Sequence, residues 1–149
     1  MVQYLGSTSN LLSPTVLDSR NFLRLDADDE RDVDKDEILA VVGHPSELNI
    51  VDYENIDIRT QGFSADGRYA GPAEDKFCST IRFKQLSPIK DMDGLSGSPV
   101  LAFREIEDAV YTHHFAGVLN RGSTASGMGR FINSSVVIHA LKHLSATLH

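Results

Sequence analysis

The chain has 149 residues, 41% of them hydrophobic, and a formal net charge of -7 at pH 7. It can bury one core, and its acidic balance argues against nucleic acid or an anionic membrane surface as the main partner, since both need a concentrated basic face. A single cysteine, Cys78, excludes an internal disulfide and with it a disulfide-stapled secreted fold, and reads as a small apolar filler in a strand.

The opening stretch "MVQYLGSTSNLLSPTVLDSR" has no basic leader followed by a long apolar run. Neither a signal peptide nor a membrane span is expected, and cytoplasmic residence is the default. Next comes "LDADDERDVDKDE", with eight carboxylates between positions 26 and 37 and only Arg31 and Lys35 opposing them. A twelve-residue calcium loop counted from Asp32 would need glycine sixth and glutamate last, but those positions hold Glu37 and Gly43. The segment therefore reads as a solvated acidic loop. Residues 1–36 form an N-terminal segment with this loop, and 37–149 form the folded domain.

From Glu37 onward the pattern is one of short strands. "EILAVVG" is an apolar, β-branched run expected to be buried on both faces, and Gly43 and Pro45 close it. "ENIDIRT" alternates through Ile56 and Ile58, and "FCSTIRF" through Phe77, Ile81 and Phe83 with Arg82 turned outward. "SPVLAF", "AVYTHH" and "FAGVLN" supply three more candidates, with Gly62, Gly67, Gly71, Pro72, Gly122, Gly127 and Gly129 as punctuation between strands. "GSTASGMG" lacks the strand, lysine and helix of a phosphate-binding loop and reads as a hairpin loop. One helix is expected at the end, capped by Asn133 or Ser134, with Val137, Leu141, Leu144 and Leu148 on its buried face. The fold class that follows is all-β, an antiparallel Greek-key β-barrel of about six strands with a C-terminal α-helix.

The stretch "DMDGLSGSPVLAF" sets Ser96 between glycines. A serine hydroxyl attacks a carbonyl only when a base takes its proton and donors receive the oxyanion. Glycines serve the second need, because they let successive amide N–H groups converge on one point. Gly-x-Ser-Gly alone is a weak signal, but "DEILAVVGHPSE" precedes it, and "FAGVLNRG", "GRFI" and a terminal helix follow it in order. Over residues 37–144 this arrangement resembles the second barrel of the trypsin-like serine peptidases, most closely the bacterial branch of glutamyl endopeptidases and HtrA-type proteases.

That resemblance implies a serine endopeptidase. Ser96 falls on the nucleophile, and the backbone N–H groups of Gly94 and Ser96 fall on the oxyanion hole. Leu119, Asn120, Arg121 and Gly122 fall on the strand edge that pairs with an extended substrate, and residues 90–93 fall on a wall of the primary specificity pocket. Leu95 stands where digestive relatives carry an aspartate that pairs with a freed N-terminus, which argues against activation of the zymogen type. Leu119 stands where glutamate-specific relatives tend to place a histidine, so acidic specificity in the primary pocket loses support.

The family takes its histidine and aspartate from the first barrel, in the order His, Asp, Ser. No histidine precedes His44, which lies in a Gly-His-Pro turn and reads as structural. His113 and His114 are neighbours on a strand and face opposite ways, so only one points inward; His139, His143 and His149 belong to the helix and tail. About 25 leading residues are too few for a six-stranded barrel. The chain is thus expected to be the nucleophile-bearing barrel, inactive without a His/Asp barrel supplied by upstream sequence or another chain.

Two alternatives stay open: an inert peptide-binding or oligomerisation module derived from that fold, and a tight turn in an unrelated β-domain. A peptide or protein substrate is the expected partner, together with a homodimer or a partner chain carrying the first barrel, because an unpartnered second barrel exposes apolar surface. No cofactor and no metal is expected, since the histidines lack cysteine or carboxylate partners at ligand spacing.

Overall fold

The computed structural model describes Leu25, residues 30–35 and residues 37–147. Eight strands and one α-helix occur among them, and six of the strands close a barrel. The barrel strands are β1 (Ile38–Gly43), β4 (Phe63–Pro72), β5 (Cys78–Phe83), β6 (Pro99–Glu107), β7 (Val110–Ser123) and β8 (Met128–Asn133). They run β1-β4-β5-β8-β7-β6 around the barrel, every pair antiparallel, with β6 returning to β1. In this Greek-key order β8 inserts between β5 and β7, so the connection from β5 to β6 must cross one end of the barrel. That connection carries Ser96. The expected fold class and terminal helix are both present.

The core is built by alternation. Leu39 and Val41 of β1, Phe63 and Ala65 of β4, Ile81 and Phe83 of β5, Val100 and Ala102 of β6, Leu119 of β7 and Phe131 of β8 all point inward. Each of the Leu, Val, Ile and Phe side chains among them contributes about 1.5–3 kcal/mol relative to exposure. β1 was expected to be buried on both faces, but Ile38 and Ala40 are half-buried and Val42 is 46% exposed. A barrel wall has an inner and an outer face, and among the described residues no second layer covers the outside of β1.

β4 was not among the expected strands, because Gly67 and Gly71 read as punctuation. Both lie inside it. Gly67 packs so tightly on β5 that a Cβ would come 2.4 Å from the Arg82 carbonyl oxygen, and Gly71, at φ +107°, takes up the register shift after Tyr69. Likewise Gly122 lies in β7 and Gly129 in β8, while Gly127 turns the β7–β8 hairpin that "GSTASGMG" forms as expected. "AVYTHH" and "FAGVLN" are one strand, β7, because a register shift against β6 accommodates Ala116 without ending the ladder.

The strand expected around Ile56 and Ile58 exists only as β3 (Asp57–Arg59), paired with β2 (Ile50–Asp52) in a separate two-stranded hairpin. Ile56 is 88% exposed at φ +53°, and Ile58 is 46% exposed, so their alternation serves no core. Phe77, expected inside, is 50% exposed and lies just before β5, where the Lys76 ammonium sits 4.9 Å above its ring.

The helix α1 (Ser134–Thr147) leans on β7 and β8 by its first turns only. Ser134 and Ile138 are buried and Val137 is half-buried, but Leu141 and Leu144, expected in the core, are 48% and 58% exposed. The later turns continue beyond the sheet, which leaves their apolar stripe uncovered by described residues; Leu148 and His149 lie outside those residues. No described helix is long and apolar enough to cross a membrane.

Much of the acidic loop lies outside the described residues, but its last carboxylate corrects the solvated reading. Glu37 is 1% exposed and accepts hydrogen bonds from the Asp34 amide at 3.0 Å and from the Arg31 guanidinium. Arg104 of β6 stands 3.4 Å from the same carboxylate and pairs with Asp34 as well. Glu37 is buried because these cations and the amide replace its hydration. Arg31, Asp34 and Glu37 are thereby tied to Arg104 of β6.

Candidate active site

The connection between β5 and β6, residues 84–98, is long for an irregular segment, a length usually tied to function. It is held in shape by apolar anchors and by hydrogen bonds from three sides. Ile89, Met92 and Leu95 are buried in the core cluster. The Glu47 carboxylate, in the short 3₁₀ helix Ser46–Leu48, accepts hydrogen bonds from the Lys90 and Asp91 amides. The Asp93 carbonyl accepts one from the Ser46 amide at 2.8 Å, and the Lys90 carbonyl one from the Thr124 hydroxyl at 2.7 Å. Leu95, in the position where the resemblance marks a departure, is 1% exposed and serves as the central apolar anchor.

Two successive turns share Leu95. The Leu95 amide donates to the Met92 carbonyl at 3.1 Å, and the Ser98 amide donates to the Leu95 carbonyl at 3.0 Å. The third residue of each turn is a glycine in the left-handed region, Gly94 at φ +82° and Gly97 at φ +90°, as type II turns require. A trans peptide holds its C=O and N–H antiparallel. Because the Asp93 carbonyl faces Ser46, the Gly94 N–H points the other way; because the Leu95 carbonyl faces into the second turn, the Ser96 N–H points out of it. Among the described residues neither N–H donates to a backbone carbonyl.

Ser96 itself is exposed, and its hydroxyl donates to the Asn120 carbonyl at 2.9 Å. The second turn is locked to β7 by a reciprocal pair, Gly97 N–H to Leu119 O and Leu119 N–H to Ser98 O, each 2.8 Å. Leu119 therefore has both backbone groups spent on the serine turn and its side chain in the core, 1% exposed. β6 pairs with β7 only as far as Val118, opposite Pro99, so beyond Leu119 the edge of β7 that faces away from β8 has no strand beside it among the described residues. Asn120, Arg121 and Gly122 lie on this open edge and are exposed. Against Gly122 rests Met92, 5% exposed, its sulfur 2.3 Å from where a Cβ of residue 122 would be. The side chain of the 90–93 wall thus fills the space beside the edge; sequence pattern did not reveal this, since nothing in "DMDG" fixes which way the methionine turns.

No imidazole among the described residues hydrogen-bonds Ser96. The backbone of His44 touches the turn, its carbonyl oxygen 3.1 Å from a Cβ position on Gly94, while its exposed ring lies against Gly62. His113 is exposed and His114 is buried, the division expected for strand neighbours. His114 lies five β7 positions from Leu119, about 17 Å along the strand, with Nδ1 2.7 Å from the Arg31 guanidinium and 3.9 Å from Glu37. His139 and His143 are exposed on α1. Among the described residues no group of histidine, cysteine and carboxylate side chains is arranged to hold a metal ion.

A cleft of about 540 Å³ opens beside the β7 edge, lined by Glu74, Thr80, Arg121, Gly122 and Arg130 among others. Asp75 pairs with Arg130 at 3.0 Å. The Arg130 guanidinium is held above its usual value, first by the neighbouring Cys78 side chain and then by the Asp75 carboxylate. Cys78 is buried at the start of β5, as expected of a filler.

No family model, no curated protein and no solved structure matches the chain.

Proposed function

We propose that the chain carries the nucleophile-bearing barrel of a serine peptidase of the trypsin-like kind, with Ser96 as nucleophile and the Gly94 and Ser96 amides as oxyanion donors. The observation that carries this reading is the double turn. It leaves two N–H groups unspent beside an exposed hydroxyl, next to a strand edge open to an extended peptide.

In the proposed reaction the Ser96 oxygen bonds to the substrate carbonyl carbon, the carbonyl π pair moves onto its oxygen, and the two amides receive that charge. The proton on the Ser96 hydroxyl must leave in the same step. In the resting state it is held by the Asn120 carbonyl, which is far too weak a base to take it. Hydrolysis at an enzymatic rate therefore waits for a base from outside the described residues. Preorganised donors alone retain about 10³-fold catalysis over water. The inert peptide-binding alternative is favoured by one further fact, the Met92 side chain that occupies the space beside Gly122.

Fluorophosphonate labelling followed by intact mass measurement tests the reading. Slow modification confined to Ser96 and absent from Ser96→Ala is the expected result. No modification of Ser96 at all, with Ser96→Ala behaving as wild type toward peptides, would sink it. Rapid labelling that disappears on alanine replacement of His44, His113 or His114 would show instead that the barrel holds its own base.

A further inference from the structure

The open edge of β7 carries a charge pattern that selects its ligand. Arg121 and Arg130 are direct partners across the β7–β8 ladder, so their side chains stand on the same face and both line the cleft. Like charges placed directly opposite each other destabilise a sheet. Arg130 is compensated by Asp75 at 3.0 Å. Arg121 is exposed and makes no ion pair among the described residues, and Glu74, the acidic side chain lining the cleft, forms no salt bridge with it. Across the face the charges thus run negative, positive, positive, and then stop at an edge beside which no described strand lies.

An extended peptide on that edge would place one residue directly opposite Arg121. Cross-strand partners share a face, with Cβ atoms about 4.5–5.5 Å apart. We infer that the peptide bound by the β7 edge carries an acidic side chain, Asp or Glu, at the position facing Arg121, completing a row of Asp75, Arg130, Arg121 and the ligand carboxylate in which each arginine has a carboxylate beside it. Arg121 is the specificity-determining residue of this row. A planar guanidinium suits the task because it can hold a carboxylate through two parallel hydrogen bonds. This inference rests on the reading of the Asn120 to Gly122 edge as a peptide site. It concerns the strand face that holds Arg130, and is separate from the space Met92 fills.

The test uses the full chain and a set of N-acetyl tetrapeptide boronates, otherwise all alanine, in which one Glu, Gln or Lys is moved along the peptide. Binding is measured by calorimetry at low salt and at about 0.5 M salt, where exposed charge pairs are screened. At one position the Glu probe is expected to bind about fivefold tighter than Gln, the range of an exposed ion pair, with Lys weakest and the ratio shrinking in high salt. Arg121→Gln removes the Glu-to-Gln ratio, and Arg121→Glu turns the preference toward Lys. Probes that bind with no Glu preference at any position, or a preference that survives Arg121→Gln, overturn the charge row while leaving the edge as a peptide site. If no probe binds, including the all-alanine parent, the edge is not a peptide site and the inference falls with it.

Discussion

Met92 packs its thioether on the bare Cα of Gly122, where a Cβ would lie 2.3 Å from the sulfur. This contact joins the serine loop to the β7 edge and closes the space between them. Met92→Ala should cost about 2–5 kcal/mol, the usual range for emptying a buried methionine site, measurable as a lower midpoint in urea. It should also admit a side chain beside Gly122. A peptide boronate with phenylalanine next to the boron is expected to bind the variant more tightly than wild type, while its alanine counterpart gains nothing. Equal gains for both probes would mean that the space Met92 fills is not a side-chain pocket.

The two glycines of the double turn predict different outcomes for the same substitution. At Gly94 a Cβ would meet Ser46 Oγ at 2.5 Å and the Ser46 amide nitrogen at 2.6 Å, in addition to the strain at φ +82°. At Gly97, φ +90°, nothing lies within 4 Å. Gly97→Ala should cost only the backbone strain, about 1 kcal/mol, whereas Gly94→Ala should cost about 3 kcal/mol or more and displace the loop from the 3₁₀ helix. Fluorophosphonate modification of Ser96 should survive the first and be lost in the second. Comparable unfolding midpoints for the two variants would refute the close approach of Gly94 to Ser46.

These glycines also mark where pattern reading succeeds and where it stops. In "GLSGSP" the residue types themselves demand positive φ and tight turns, and the turn is there. In "FSADGRYAGP" the same residue type meant the opposite: Gly67 is a strand residue because the β5 backbone crosses close above it, a requirement set by a segment more than ten residues away. The alternation leading into β3 misleads for a related reason. Alternation at Ile56 and Ile58 satisfies the strand rule, but only tertiary packing decides whether a sheet covers the apolar face, and among the described residues none does. The burial of Glu37 was equally out of reach, since its cations come from Arg31 nearby and Arg104 on a distant strand. What could be read was local chemistry plus period; what could not was which face finds a neighbour.

Glu37 gives a prediction of its own. Its carboxylate is 1% exposed, and the side chains of Arg31 and Arg104 that face it are 32% and 45% exposed. Removing one partner of a buried pair typically costs 3–5 kcal/mol. Because the arginines can swing into water, Glu37→Ala should fall at the lower end, about 3 kcal/mol. Hydrogen exchange at the Asp34 amide should accelerate, since that N–H loses its acceptor. A variant with wild-type stability and an unchanged Asp34 amide would show that the cluster does not hold Arg31 and Asp34 to β6.

The β2–β3 hairpin offers a titration that reads local order directly. Asp52 accepts hydrogen bonds from the Asn55 side chain at 2.9 Å and from the Glu54 and Asn55 amides at 3.0 and 3.2 Å. Its carboxyl is held below the usual aspartate value, chiefly by the Asn55 side chain, next by the Asn55 amide, and more weakly by Glu54. A carboxyl depressed in the folded state favours folding while it is ionised. The contribution is therefore complete above the unfolded aspartate pKa and is lost as pH falls through the lower folded value. The bend it orders presents Tyr53 and Ile56, 87% and 88% exposed. In Asn55→Ala the largest cause of the shift is gone, so the Asp52 carboxyl resonance should titrate closer to the ordinary aspartate value. The Tyr53 and Ile56 amides should then exchange faster at neutral pH, where wild type still has the bend. An Asp52 titration identical in the two proteins would mean that the bend is not held by this carboxylate.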